Sequence, residues 1–142
     1  MNNDIIKHIR SKDNFVIIGG ESGMGKTVFL NEVKNNLKTN FSDKIRIWEI
    51  TNDILTDEVL LNKYVDKVID DYKKQVIIID NGEHYFIQIV QFIEKLYSKE
   101  DPRSKPEVSF CLATSGDATK FKTRFLSIGV KVIHCNIIPL DI

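Results

Sequence analysis

The sequence predicts an α/β protein in three layers, with helices on both faces of a five-stranded parallel sheet. Three observations predict it. Five short apolar runs alternate with longer amphipathic stretches, the pattern of a parallel sheet with helical crossovers. One of those runs, Val76-Ile77-Ile78-Ile79, is unbroken and β-branched, as a strand covered on both faces should be. The first run is followed directly by a glycine-rich string that leads into a helical pattern.

Phe15-Val16-Ile17-Ile18 reads as the first strand, bounded by Asn14 and the Gly19-Gly20 pair. A helix follows from near Lys26 through Val33 and Leu37. Ile45 to Ile50 alternates weakly and reads as the second strand. Asp57 to Tyr72 carries apolar residues at helical spacing. After the strand at 76–79, Phe86, Ile89, Val90, Ile93, Leu96 and Tyr97 mark one helix face. Glu100 to Glu107, with Pro102 and Pro106, reads as a charged surface loop. Val108 to Ala113 is a fourth strand, Asp117 to Ser127 a helix and Val130 to Cys135 a fifth strand. No repeat, low-complexity tract or linker interrupts the pattern, so residues 1–142 read as one domain.

Composition narrows the function classes. A hydrophobic share of 42% beside a charged share of 28% fits a folded domain rather than a disordered chain. Lysine plus arginine equals aspartate plus glutamate, twenty each, so no global field draws the chain to nucleic acid or anionic membrane. A local basic stretch remains in Lys120, Lys122, Arg124 and Lys131, which no acidic residue interrupts. Cys111 and Cys135 lie inside apolar runs and read as core residues, not as a disulfide or metal pair. No apolar run nears the roughly 20 residues of a membrane span, and the first ten residues lack a signal-peptide core. A cytoplasmic protein without membrane contact is the expectation.

Gly20-Glu21-Ser22-Gly23-Met24-Gly25-Lys26-Thr27 fits G-x-x-x-x-G-K-[ST], the phosphate-binding loop, with a strand before it and a helix after it. Glycines let the backbone curl so that several N–H groups point at one anion. The following helix turns its positive end to the same place. The expected nucleotide-binding set is Gly20, Glu21, Ser22, Gly23, Met24, Gly25, Lys26, Thr27 and Val28. Lys26 would reach the β- and γ-phosphates as a catalytic group, and the Thr27 hydroxyl would ligate Mg²⁺. The alternative, a chance glycine-rich turn, does not explain the strand–loop–helix context.

The run Ile77-Ile78-Ile79-Asp80 ends in a carboxylate suited to holding Mg²⁺ through its water shell. Alone it is a weak signal, because aspartate often ends strands as a turn former. Beside the phosphate loop it becomes the expected second metal residue. Glu83 is the candidate catalytic carboxylate for polarising water, or else a first-turn residue of the next helix. His84 reads as a helix-start residue.

The string Ile79-Asp80-Asn81-Gly82-Glu83-His84 resembles the LDNCEH string of the STAND ATPases, signal-transduction ATPases with an NB-ARC-like nucleotide domain. Cys111-Leu112-Ala113-Thr114-Ser115 resembles their LATSR, and Ile138-Pro139-Leu140 their V-x-P-L exit. Ile47-Trp48-Glu49-Ile50 followed by Leu55-Thr56-Asp57 resembles their second strand and next helix. The resemblance implies a strand order of 5-1-4-3-2, ATP and Mg²⁺ as ligands, and Thr114 beside the γ-phosphate. It also implies a nucleotide-dependent regulator acting with a protein partner or by self-assembly. AAA+ ATPases, including helicase loaders, share the layout, which keeps a DNA-associated reading open. Asn81 stands where such ATPases usually carry an acidic residue, and Gly116 where LATSR has arginine. Those departures raise a third reading, a nucleotide-binding module without turnover. The helical lid and winged helix of STAND proteins have no counterpart, so a minimal domain or a fragment is expected. A small-molecule kinase is disfavoured because Arg10, Arg46, Arg103 and Arg124 do not cluster. GTP is disfavoured because Asn62-Lys63-Tyr64-Val65-Asp66 misses N-K-x-D by one residue.

Overall fold

Five parallel strands form one sheet: β1 (Asn14–Gly19), β2 (Ile45–Glu49), β3 (Lys74–Ile79), β4 (Val108–Thr114) and β5 (Lys131–Asn136). The computed structural model describes residues 3–10, 14–20, 25–70, 73–97, 108–115, 118–127 and 131–136. The spatial order is β2-β3-β4-β1-β5, which is the expected 5-1-4-3-2. β1 and β3 therefore flank β4, and β2 lies beside β3 at one edge.

Strand periodicity divides the interior into two cores. Phe15, Ile17, Ile77, Ile79 and Phe110 face the side covered by α3 (Asn52–Leu55), α4 (Glu58–Ile69), α5 (Phe86–Tyr97) and α6 (Thr119–Ser127). Val16, Ile18, Val76, Ile78 and Cys111 face the other side, covered by α1 (Asn3–Arg10) and α2 (Lys26–Phe41). The middle strands are apolar on both faces because both faces are covered. Phe15 anchors the first core, with ring centroids 4.6 Å from Phe110 and 4.9 Å from Phe125.

The helices differ from expectation mainly at their ends. α4 begins at Glu58 because Asp57 is its cap: the Asp57 side chain accepts from the Leu60 amide at 3.1 Å. α5 buries Phe92 as well as Ile89, Ile93 and Leu96. α1 and the four-residue α3 were not expected. Ile5, Ile6 and Ile9 of α1 close the second core. In the same helix, burial holds the His8 imidazole below its ordinary pKa. A hydrogen bond to the backbone of Phe15 opposes that shift, and Lys131 and Lys74 add to it.

Several expectations lie outside the described residues. They are Glu21 to Met24 of the phosphate loop, Tyr72, the 100–107 loop, Gly116, Asp117, Val130 and the Ile138-Pro139-Leu140 exit. Cys111 is buried in the core as expected. No helix among the described residues is long and apolar enough to cross a membrane.

Candidate functional site

The carboxyl ends of β1, β3 and β4 meet the amino end of α2, and those expected site residues that are described collect there. Gly20 (φ 146°) and Gly25 (φ 90°) hold the two ends of the loop in conformations that side chains rarely adopt. Gly25 is also the residue before the first turn of α2, which contains no acidic side chain. The first turn of the helix thus adds no carboxylate of its own to its positive dipole end.

Lys26 is buried, and its ammonium donates to the Gly20 carbonyl at 2.8 Å, bridging the loop ends. Thr27, one residue on, donates its hydroxyl to Asp80 Oδ2 at 2.7 Å. Asp80 Oδ1 accepts the Asn81 amide at 2.8 Å, so both oxygens of this carboxylate are oriented. Asn81 adopts a left-handed conformation (φ 55°, ψ 40°), which asparagine tolerates better than most residues. A tight turn over Gly82–His84 follows.

That turn explains Gly82. A Cβ built there would lie 2.5 Å from Leu112 Cδ1 and 3.3 Å from the Ala113 carbonyl oxygen. The turn presses directly on β4, where the resembling family string carries cysteine. Gly82→Cys is expected to cost about 1–3 kcal/mol through overpacking. The check is a lower urea midpoint at unchanged slope; an unchanged midpoint would show that Leu112 yields without cost.

Glu83, from the same turn, accepts the Ser115 amide on Oε2 at 3.2 Å and so ties the exit of β3 to that of β4. Thr114, the last residue of β4, is buried, and its hydroxyl donates to the Ser115 carbonyl at 3.3 Å. Val28 is exposed at the mouth, and His84 is exposed beyond the turn.

Two adjoining cavities open over these residues. One, of about 270 Å³, is lined by Gly25, Lys26, Thr27, Val28, Asp80 and Ser115. The other, of about 310 Å³, runs between α2 and the ends of β2 and β3, past Thr27, Asn31, Glu49, Thr51 and Asp80. Thr27, Asp80 and Asn81 line both. Sequence reasoning located the first cavity and missed the second. A carboxylate closing β2 was its available signal, but only the β2–β3 register sets it one side-chain step behind Asp80.

This five-stranded parallel sheet with helices on both faces is shared with solved structures. Domain III of the Thermotoga maritima replication initiation protein DnaA superposes with a TM-score of 0.65 at 18% identity, over 98% of this chain and 60% of that one. The Aeropyrum pernix ORC1 protein, solved with DNA, gives 0.65 at 12% identity, over 98% and 44%. The Aeropyrum pernix ORC2 protein, solved in ADPNP–ADP complexes, gives 0.59 at 14% identity, over 94% and 44%. These identities show the fold alone. The chain spans less than two thirds of each of the three solved chains. No family model and no curated protein matches it.

Proposed function

We propose that residues 1–142 form one P-loop ATPase domain of STAND or AAA+ type, which binds ATP with Mg²⁺ and hydrolyses it slowly. Its nucleotide state would govern association with a protein partner or further copies of itself. One observation carries this reading: the Thr27 hydroxyl and the Asp80 carboxylate meet at 2.7 Å in a cavity that Lys26 also lines. An oxygen pair of this kind suits Mg²⁺, which favours hard oxygen donors, keeps several waters and takes its remaining ligands from phosphates. Mg²⁺, when bound, supplies neutralisation of phosphate charge.

The chain's own residues supply the rest. Lys26 and the start of α2 bind the β- and γ-phosphates, with Gly20 and Gly25 fixing the loop ends. Thr27 and Asp80 hold the metal, Asp80 through water. Glu83 keeps Thr114 and Ser115 at the phosphate end of β4. Slow turnover follows from Gly116, where the resembling string has arginine; Asn81 cannot accept a proton and leaves that task to a carboxylate elsewhere.

The experiment is ATP binding by wild type and Asp80→Asn, each measured with Mg²⁺ and with EDTA. The variant should lose affinity in Mg²⁺ and keep the wild-type value in EDTA. An equal loss in both conditions would make Asp80 structural.

A DNA-associated reading rests on the exposed Lys120 and Lys122 of α6. Arg124, in the same stretch, is already engaged by Glu94, and the Lys120 ammonium sits 4.7 Å from the Phe86 ring centroid. ATP-dependent retardation of a DNA probe in a gel would favour this reading.

A further inference from the structure

We infer that Glu49, at the end of β2, is the carboxylate that polarises the attacking water. This rests on the ATP-hydrolysing reading above. Sheet geometry carries it. Ile45, Ile47 and Glu49 form one alternating row on β2, and Val76, Ile78 and Asp80 form the matching row on β3. Both rows face α2: Ile45, Val76 and Ile78 are part of the core beneath that helix, and Ile47 packs against it. Glu49 pairs in register with Ile78, so it stands one side-chain step behind Asp80 on the neighbouring strand. The Ile50 amide donates to the Ile78 carbonyl at 3.0 Å and carries the pairing past the end of β2.

The cavities make the same distinction. Among the described residues lining them, the carboxylates are Glu49 and Asp80, whereas Glu83 lines neither. Asp80 is held by Thr27 and by the Asn81 amide. Glu83 is turned toward the Ser115 amide at the end of β4. Glu49 is half-exposed and opens onto the cavity that reaches Thr27 and Asp80.

Its present partner is Lys34, whose ammonium donates to Glu49 Oε1 at 2.8 Å. Lys34 is seven residues after Thr27 on α2, about 10 Å further from the phosphate end at 1.5 Å per residue. The ion pair thus draws the carboxylate toward the far end of the cavity. On the Glu49 side the pair is about half exposed and screened by solvent, and its release would free the carboxylate for the cavity that also reaches Asp80.

The chemical step balances with water as the only co-reactant. The water oxygen bonds to the γ-phosphorus while the bond from that phosphorus to the β–γ bridging oxygen breaks. The bridging oxygen keeps the electron pair and leaves on ADP. Glu49 accepts the proton from water and releases it to solvent, giving ADP, inorganic phosphate and one proton.

The test is single-turnover ATP hydrolysis by wild type, Glu49→Gln, Glu83→Gln and Lys26→Ala, with the Mg-ATP-induced melting shift measured for each. Glu49→Gln should lower the rate about 100-fold, within the range for removing a general base, and keep the wild-type melting shift. Glu83→Gln should cost less. Glu49→Gln at the wild-type rate would overturn the assignment, as would a larger loss in Glu83→Gln. Loss of the melting shift in Glu49→Gln would place the residue in binding instead. If wild type shows no more melting shift or hydrolysis than Lys26→Ala, the ATP reading itself fails and this inference with it.

Discussion

Lys26→Ala should remove most of the stabilisation that Mg-ATP is expected to give the wild-type chain. A ligand that binds only the folded state stabilises it by about 2.7 kcal/mol at a hundredfold excess over its Kd. For a domain of this length that is a rise of roughly 10 °C in Tm. The Lys26 ammonium is buried and bridges Gly20 to the start of α2, so its charge is aimed at the loop interior. Truncation would remove the cation proposed to neutralise the phosphates, together with its bond to the Gly20 carbonyl. Thermal melts of both proteins with and without Mg-ATP check this. The variant should melt at nearly one temperature in both conditions, while wild type should not. Equal shifts in the two proteins would mean that nucleotide, if bound, is bound elsewhere.

The second large effect is on turnover. The isolated chain should hydrolyse ATP slowly, and an arginine supplied by a partner or a second copy should raise the rate by about 10³ to 10⁵. Two of the described arginines, Arg10 and Arg124, are engaged away from the site. The Arg10 guanidinium lies 3.8 Å from the Phe41 ring centroid, and Arg124 is bound to Glu94 on the α5–α6 face. Single-turnover rates across a wide range of chain concentration check the self-assembly case. A rate per chain that climbs with concentration is expected if copies supply the arginine, and added partner should give the same rise at low concentration. Fast hydrolysis that is independent of both would contradict the account.

What the sequence made legible was local. The run from Val76 to Asp80, the loop from Gly20 to Thr27 and the helix after it are each written in consecutive residues. The strand run and the helix were placed correctly because such punctuation needs no tertiary information, while Glu21 to Met24 of the loop lie outside the described residues. The face of α5 was visible for the same reason, although Phe92 escaped because it broadens the apolar stripe beyond the residues first marked. The two-sided burial of β3 and β4 followed from their unbroken apolar character.

What was not legible depends on residues far apart in the chain. The resemblance already implied β2 beside β3. That Glu49 stands one side-chain step behind Asp80 depends on the register, Glu49 opposite Ile78, which the composition of β2 does not announce. The close packing of Gly82 on Leu112 joins a turn to a strand thirty residues away. The left-handed backbone at Asn81 is a local property, yet the residue was read for its missing chemistry and not for its geometry. α3 is too short to show a helical period, and α4 shows how a cap can be counted as the first turn.

The central claim is that Thr27, Asp80 and the loop closed by Lys26 form one binding site for ATP and Mg²⁺. A calorimetric titration of ATP into the wild-type chain, in Mg²⁺ and then in EDTA, tests it most directly. The account predicts saturation at one ATP per chain in Mg²⁺ and clearly weaker binding in EDTA. No saturable heat in Mg²⁺, or the same affinity with and without the metal, would contradict it.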